Sequence, residues 1–208
     1  MFFSLCIRLG YYGIYGLGAT MFIRVPLVRQ AYDYSCGAAA LASCLYYWGV
    51  WSGREPELYP LLGTDEEGTS GYGIMEVATS FGLEVVYRNN LKVNDLTKYL
   101  ELGYTCILNI QAWGNYGPWT DFEDVWEDGH YVVLVNLIND DVELMDPSIA
   151  GQYGRLSKSE FEARWHDWSD DGSSKEYHTA ILLRGTKVVD LTQPYRIDAL
   201  GQKDINRM

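Results

Sequence analysis

The chain has 208 residues, enough for one domain with a sizeable core and short for two. Its 48% hydrophobic and 21% charged residues are those of a folded globular protein and exclude a disordered one. A formal net charge of -12 argues against nucleic-acid binding, which needs clustered Lys and Arg; acidity of this kind mostly keeps a chain soluble.

Residues 1–23 are apolar but broken by Arg8 and by four glycines. They match neither a spanning helix, which wants about 20 apolar residues without a central charge, nor a signal peptide with a basic start and a cleavage site. Two readings of this N-terminal extension stay open. It is an over-extended reading frame with Met21 as the real start, or it is a weak membrane anchor.

From Arg24 the text reads as one continuous domain, to about residue 185, with a C-terminal tail at 186–208. Residues 36–48 are rich in Ala, Leu and aromatics and stop at Gly49, as a buried helix with a glycine stop does. Residues 55–62 predict a short helix, 64–73 a polar loop, and 73–81 a helix closed by Gly82. Residues 84–87 predict a strand, and Asn94 an N-cap for a helix over 95–101. The second half is β-prone. Strands are predicted at 105–110 and at 131–138, then a turn at Asn139-Asp140-Asp141 and a return strand at 142–145. Ser157 with Glu160 three residues on is a capping box for a helix over 157–165, and 177–184 predicts a closing strand. Helices first and an antiparallel sheet later argue for an α+β domain.

Four cysteines, Cys6, Cys36, Cys44 and Cys106, form no C-x-x-C pair, so no structural zinc site is expected and a reducing, cytoplasmic setting fits. Cys36 stands at the start of the first predicted helix. The partial positive charge and free N–H groups there favour a thiolate and can also hold an oxyanion. The small residues after it let a substrate backbone approach. Cys44 and Cys106 lie inside apolar segments, where cysteine acts as a small hydrophobe. A cysteine nucleophile needs a base, and the base needs an orienting partner. His130 opens the long apolar strand, and the hairpin 131–145 sets it beside Asp146, which would fix the imidazole's tautomer. His166 reads as an exposed residue at a helix end, and His178 as the start of the last strand.

These blocks resemble the C39 family of papain-like cysteine peptidases, whose best-known members trim double-glycine leader peptides in bacteriocin export. The matching text is Gln30 through Leu41; Gly129-His130-Tyr131-Val132-Val133-Leu134; and Asp146-Pro147, followed by Gly151, by Leu156 through Phe161 and by Trp165. The resemblance covers about 24–185. It implies a papain-like α+β fold with the nucleophile at a helix N-terminus in a helical lobe, and with His and Asp on a C-terminal antiparallel sheet. By position it makes Gln30 the oxyanion-hole side chain, Cys36 the nucleophile, His130 the base and Asp146 the orienter. It implies a peptide or protein substrate, no cofactor and no metal, and a separate exporter as partner. Ser35 stands where the family commonly has aspartate, and 112–128 is longer than the family's usual link to the histidine. No P-loop pattern occurs in the chain, so the nucleotide-driven step of export is expected elsewhere. Acyl transfer or amide hydrolysis on the same triad, and a non-catalytic peptide-binding module, are the alternatives.

The stretch 112–128 interleaves Trp113, Trp119 and Trp126 with five acidic residues. It reads either as a substrate-binding flap beside His130 or as a surface loop pinned by its own aromatics. Residues 167–172 place oxygen side chains at alternate positions, as a calcium loop does, but the twelfth position is His178 and not Glu.

Overall fold

In the computed structural model, residues 22–113 and 121–189 are described; the expectations for the N-terminal extension up to Met21, for Trp119 and for the end of the tail fall outside them. The helical half holds α1 (Cys36–Trp48), a 3-10 turn (Glu55–Leu58) that runs into the short α2 (Tyr59–Leu62), α3 (Gly71–Ser80) and α4 (Val93–Glu101). The strands are β1 (Glu84–Arg88), β2 (Thr105–Gln111), β3 (Gly129–Ile138), β4 (Asp141–Met145), β5 (Gly154–Ser157), β6 (His166–Trp168), β7 (Lys175–Tyr177) and β8 (Ala180–Arg184), with α5 (Lys158–Arg164) between β5 and β6. Six strands form one antiparallel sheet in the order β1-β8-β2-β3-β4-β5, and β6 pairs with β7 apart from it. The α+β class and papain-like fold expected from sequence are what the structure has.

α1 is buried along nearly its whole length, as its run of Ala and Leu requires, and it packs on β3. It ends at Gly49, whose φ of 64 is the left-handed conformation that glycine adopts without steric cost. β2 and β3 are covered on both faces, which explains their lack of polar alternation. Ile23 belongs to this core rather than to the N-terminal extension. It is buried, and its N–H donates to the Val135 carbonyl at 2.9 Å, where a register shift interrupts the β3–β4 ladder. Among the described residues no helix is long and apolar enough to cross a membrane.

Several element limits moved for physical reasons. α4 begins at Val93 because Asp95 reaches back to the Lys92 N–H at 3.1 Å, so Lys92 is the N-cap and Asn94 lies in the first turn. The predicted closing strand breaks in two, because His178 takes a φ of 54 between β7 and β8. His166 is buried and not exposed: it opens β6, and its Nε2 lies 2.8 Å from the Val125 carbonyl.

The loop between β6 and β7 is tied to α3. Both Asp170 carboxylate oxygens accept from backbone N–H groups, of Gly71 and Tyr72, at 2.8 Å. Ser70 accepts from Gly73 N–H at 3.0 Å, so the first three donors of α3 are all satisfied. Asp171 accepts from Ser169 and Ser173, so the carboxylates that suggested a calcium loop serve this local architecture. Asp170→Ala should cost about 1–2 kcal/mol, the scale of a lost helix cap. Urea denaturation checks this, and an unchanged midpoint would show that the link does not hold α3.

Candidate active site

The turn that delivers Cys36 is built by short polar contacts. Ser35 is fully buried; its Oγ accepts from Tyr32 N–H and donates to Tyr32 O, both at 3.1 Å. Glu55, also buried, accepts from the Tyr59 hydroxyl at 2.8 and 2.7 Å and lies against Ser35 and Ala31 of the turn. Burial still lifts the Glu55 carboxyl above its ordinary range. Ser35 caps α1 with its backbone alone, and the first turn carries no acidic residue. The N–H groups at the head of α1 therefore face Cys36 without a competing side-chain acceptor.

Gly37 makes the close approach to the sheet possible. A Cβ there would lie 2.7 Å from Thr69 Cβ and 3.0 Å from Tyr131 Cδ2. Tyr131 follows His130 on β3, so the absence of a side chain at 37 brings the helix head to the strand that bears the imidazole.

His130 is 1% exposed, and its Nε2 lies 2.8 Å from Asp146 Oδ1. The Ser148 N–H and hydroxyl donate to the same oxygen at 2.8 and 2.7 Å, which fixes the carboxylate. With Nε2 taken by Asp146, Nδ1 is left for Cys36. Burial alone would push the His130 imidazole down; hydrogen bonds to Asp146 and Cys36 and the charges of both outweigh it and hold the imidazole at about 9. For Asp146, burial pushes upward, but the His130 and Ser148 contacts win and keep the carboxyl low. The other described cysteines are sealed in the core. Burial pushes the Cys44 thiol up to about 12 and Cys106 higher still, whereas Cys36 keeps 8% of its surface exposed.

Gln30 is anchored to the acidic side of the site, because its N–H donates to the Pro147 carbonyl at 3.0 Å. Its side-chain amide donates to the carbonyls of Tyr32 at 2.8 Å and Asp33 at 3.1 Å, while Oε1 is buried without a hydrogen-bond partner. Both side-chain N–H groups are thus engaged by the Cys36 turn.

The tryptophans of 112–128 separate. Trp113, 43% exposed and held at a φ of 45, places its ring 4.8 Å from the His130 ring. Trp126 packs instead in an aromatic cluster, 4.2 Å from His166, 5.4 Å from Tyr177 and 5.5 Å from Trp168, with Lys175 Nζ 4.0 Å from its ring. The base of this stretch is clamped by Gln111, whose Oε1 accepts from Asp128 N–H and whose Nε2 donates to Asp167. Neither Ser148 nor Glu55 was singled out from sequence. Asp146-Pro147-Ser148 does carry a signal for the first, since a serine two residues after an aspartate can close on its carboxylate. Nothing local marks Glu55. His166 and His178 bond to backbone carbonyls of Val125 and Leu91 and stand outside the site.

Trp126→Ala should lower the unfolding free energy by about 2 kcal/mol through lost packing. Trp113→Ala should leave the unfolding midpoint almost unchanged but expose the imidazole to water. The His130 ring proton should then exchange faster in NMR spectra, and equal exchange rates would remove the shielding role.

Residues 24–169 match the Peptidase C39 family. An uncharacterised protein of Methanothermobacter thermautotrophicus is 35% identical over 127 residues, covering 59% of this chain and 72% of the relative. One from Methanothermobacter marburgensis is 34% identical over 123 residues, with the same shares. Among solved structures, the peptidase domain of Streptococcus ComA, a bi-functional ABC transporter of a quorum-sensing pathway, has a TM-score of 0.59 at 24% identity, covering 78% of this chain and 100% of that domain. A C39-like peptidase from Bacillus anthracis has a TM-score of 0.60 at 16% identity, covering 81% and 100%. A double-glycine-motif protease from an AMS/PCAT transporter, in complex with its leader peptide, has a TM-score of 0.54 at 19% identity, covering 79% and 94%. At these identities the structural likeness speaks for the shared papain-like fold, and the family match spans most of the sequence: the chain belongs to the Peptidase C39 family.

Proposed function

We propose that this protein is a cysteine peptidase that hydrolyses a peptide bond through Cys36, His130 and Asp146. The observation that carries this reading is the 2.8 Å contact between His130 and Asp146, set beside Cys36 at the helix head. The Cys36 thiolate attacks the scissile carbonyl, and the Cys36 backbone N–H takes up the developing oxyanion. Gln30 joins it by releasing one of its two carbonyl bonds, of which that to Asp33 is the longer. His130 gives its proton to the leaving amine and then activates the water that clears the thioester. Asp146 holds the ring throughout, and Trp113 keeps bulk water from it.

The likeness to a double-glycine protease bound to its leader peptide supports a leader-type substrate cut after small residues, with a separate exporter as partner.

Iodoacetamide should modify Cys36 ahead of Cys44 and Cys106, read by mass mapping; slower labelling of Cys36 would end its claim as nucleophile. Cys36→Ala and His130→Ala should abolish cleavage of a Gly-Gly leader peptide, while Asp146→Asn should retain part of it. Gln30→Ala should lower kcat about 100-fold, the scale of one oxyanion donor, and a normal kcat would remove Gln30 from the oxyanion hole.

Because His130 titrates near 9, kcat/KM should hold through neutral pH and fall above about pH 9. The pair's contribution to stability carries the same sign. A folded pKa raised from 6.5 gives stabilisation that is complete below pH 6.5 and lost as pH rises through about 9. In Asp146→Asn the limb should shift to lower pH, and thermal melts across pH 6–10 should lose that slope. An unshifted limb would assign the titration to another group.

A further inference from the structure

A cavity of about 440 Å³ opens beside the catalytic residues, between the head of α3, the faces of β2 and β3, and the β6–β7 loop. Its wall is one residue from the chemistry on both sides. Tyr131, which lines it, follows His130 and touches the Gly37 backbone next to Cys36. Asp167, which also lines it, lies so close to Gly129 that a Cβ there would collide with its carboxylate. The nearest link between the cavity and Cys36 is Tyr131, whose ring would lie 3.0 Å from a Cβ at Gly37.

The chemistry of the walls is one-sided. Four carboxylates line the cavity, from Asp167, Asp170, Asp171 and Glu176, and among the described residues no Lys, Arg or His does. Two of the four are already compensated, Asp170 by the N–H groups of α3 and Asp171 by its serines. The other two are held by neutral groups. The Gln111 amide donates to Asp167 at 3.1 Å, and the Tyr87 hydroxyl donates to Glu176 at 2.7 Å. Lys175, adjacent to Glu176, places its ammonium over Trp126. Burial lifts the Asp167 carboxyl above its ordinary range against the pull of its hydrogen bonds and of the neighbouring His166. A further lining residue, Asn109, has its Oδ1 buried without a hydrogen-bond partner, an added acceptor with nothing to accept from. Tyr72, Met75 and Trp168 give the cavity the flat and apolar surfaces on which a long aliphatic stem or a guanidinium plane packs.

We propose that this cavity is a specificity subsite that takes an arginine or lysine side chain of the peptide substrate. Asp167 and Glu176 pair with the cation, Asn109 accepts one of its N–H bonds, and the aromatic rim holds the stem. The assignment rests on the peptidase reading for its substrate class. It differs from a preference carried by the acidic residues that precede His130, because Asp167 and Glu176 lie in the wall of a cavity, whereas Asp121, Glu123, Asp124 and Glu127 are exposed.

The test uses the full chain as Cys36→Ala, so that binding is measured without turnover. The probes are fluorescein-labelled hexapeptides of Ala and Gly with a single Arg at each position in turn, and a matched set with neutral citrulline in its place. In one register the Arg peptide should bind at least 10-fold tighter by anisotropy, and the gap should narrow in 0.5 M NaCl. Asp167→Asn combined with Glu176→Gln should abolish the gap. Tyr72→Arg, a surface substitution at the rim, should also abolish it by supplying the cation in place, which covers a failure of the carboxylate variant to fold. Equal binding of both sets in every register, no binding of any Arg peptide, or a gap that survives these substitutions would overturn the subsite. Cleavage by the Cys36-intact protein is scored separately. Cleavage without an Arg preference sinks the subsite alone, and an Arg preference without cleavage sinks the peptidase reading alone.

Discussion

Close packing of α1 against β3 at Gly37 is the constraint on which the rest of the site depends. With Thr69 and Tyr131 at contact distance from the glycine, the helix cannot slide or tilt away from the strand without opening a gap in a dense interior. That contact sets where Cys36 stands. The β3–β4 pairing sets where His130 and Asp146 stand, and the two meet at the end of the sheet. Even a single methyl group at position 37 would have to displace Thr69 or Tyr131, and Tyr131 carries one wall of the acidic cavity as well. Cys36, His130 and the acidic cavity are thus positioned from a single point.

Around that point, charge is distributed with some economy. Asp146 spends one oxygen on His130 and Ser148 together, which makes a low-lying carboxylate beside an imidazole raised to about 9. Glu55 is the opposite case, a buried carboxylate lifted above its ordinary range, which accepts from the Tyr59 hydroxyl beside the Cys36 turn rather than pairing with a charge. Asp146 tunes the His130 imidazole, and Glu55 holds the scaffold that presents Cys36.

Much of this was legible in the sequence because local and long-range signals agreed. The apolar run after His130, the Asn-Asp-Asp turn and the returning strand specify a hairpin, and a hairpin has only one way to place its flanking residues. The Ala-rich helix after Cys36 was equally plain. The short strands β5, β6 and β7 were not, since three or four residues of mixed polarity carry no periodic pattern and exist only because partners stand beside them. The division of labour between Trp113 and Trp126 was hidden for a similar reason. Both are aromatic residues in one acidic stretch, and only the tertiary structure sends one ring to His130 and the other to His166. Glu55 could not be found from spacing: Tyr59, four residues on, is an ordinary helical neighbour, and Ser35 and Ala31 lie twenty and more residues upstream, in a turn with no regular repeat.

The strand order has a temporal consequence. β8 lies between β1 and β2, so the last of the described strands joins the half that carries α3 to the half that carries His130. On the ribosome, Cys36 emerges nearly 150 residues before Arg184, and for that interval β1 has no strand to dock against. Domains of this kind fold as units once their non-local pairings can close. The nascent chain therefore carries the Cys36 thiol well before β8 has been threaded into the middle of the sheet.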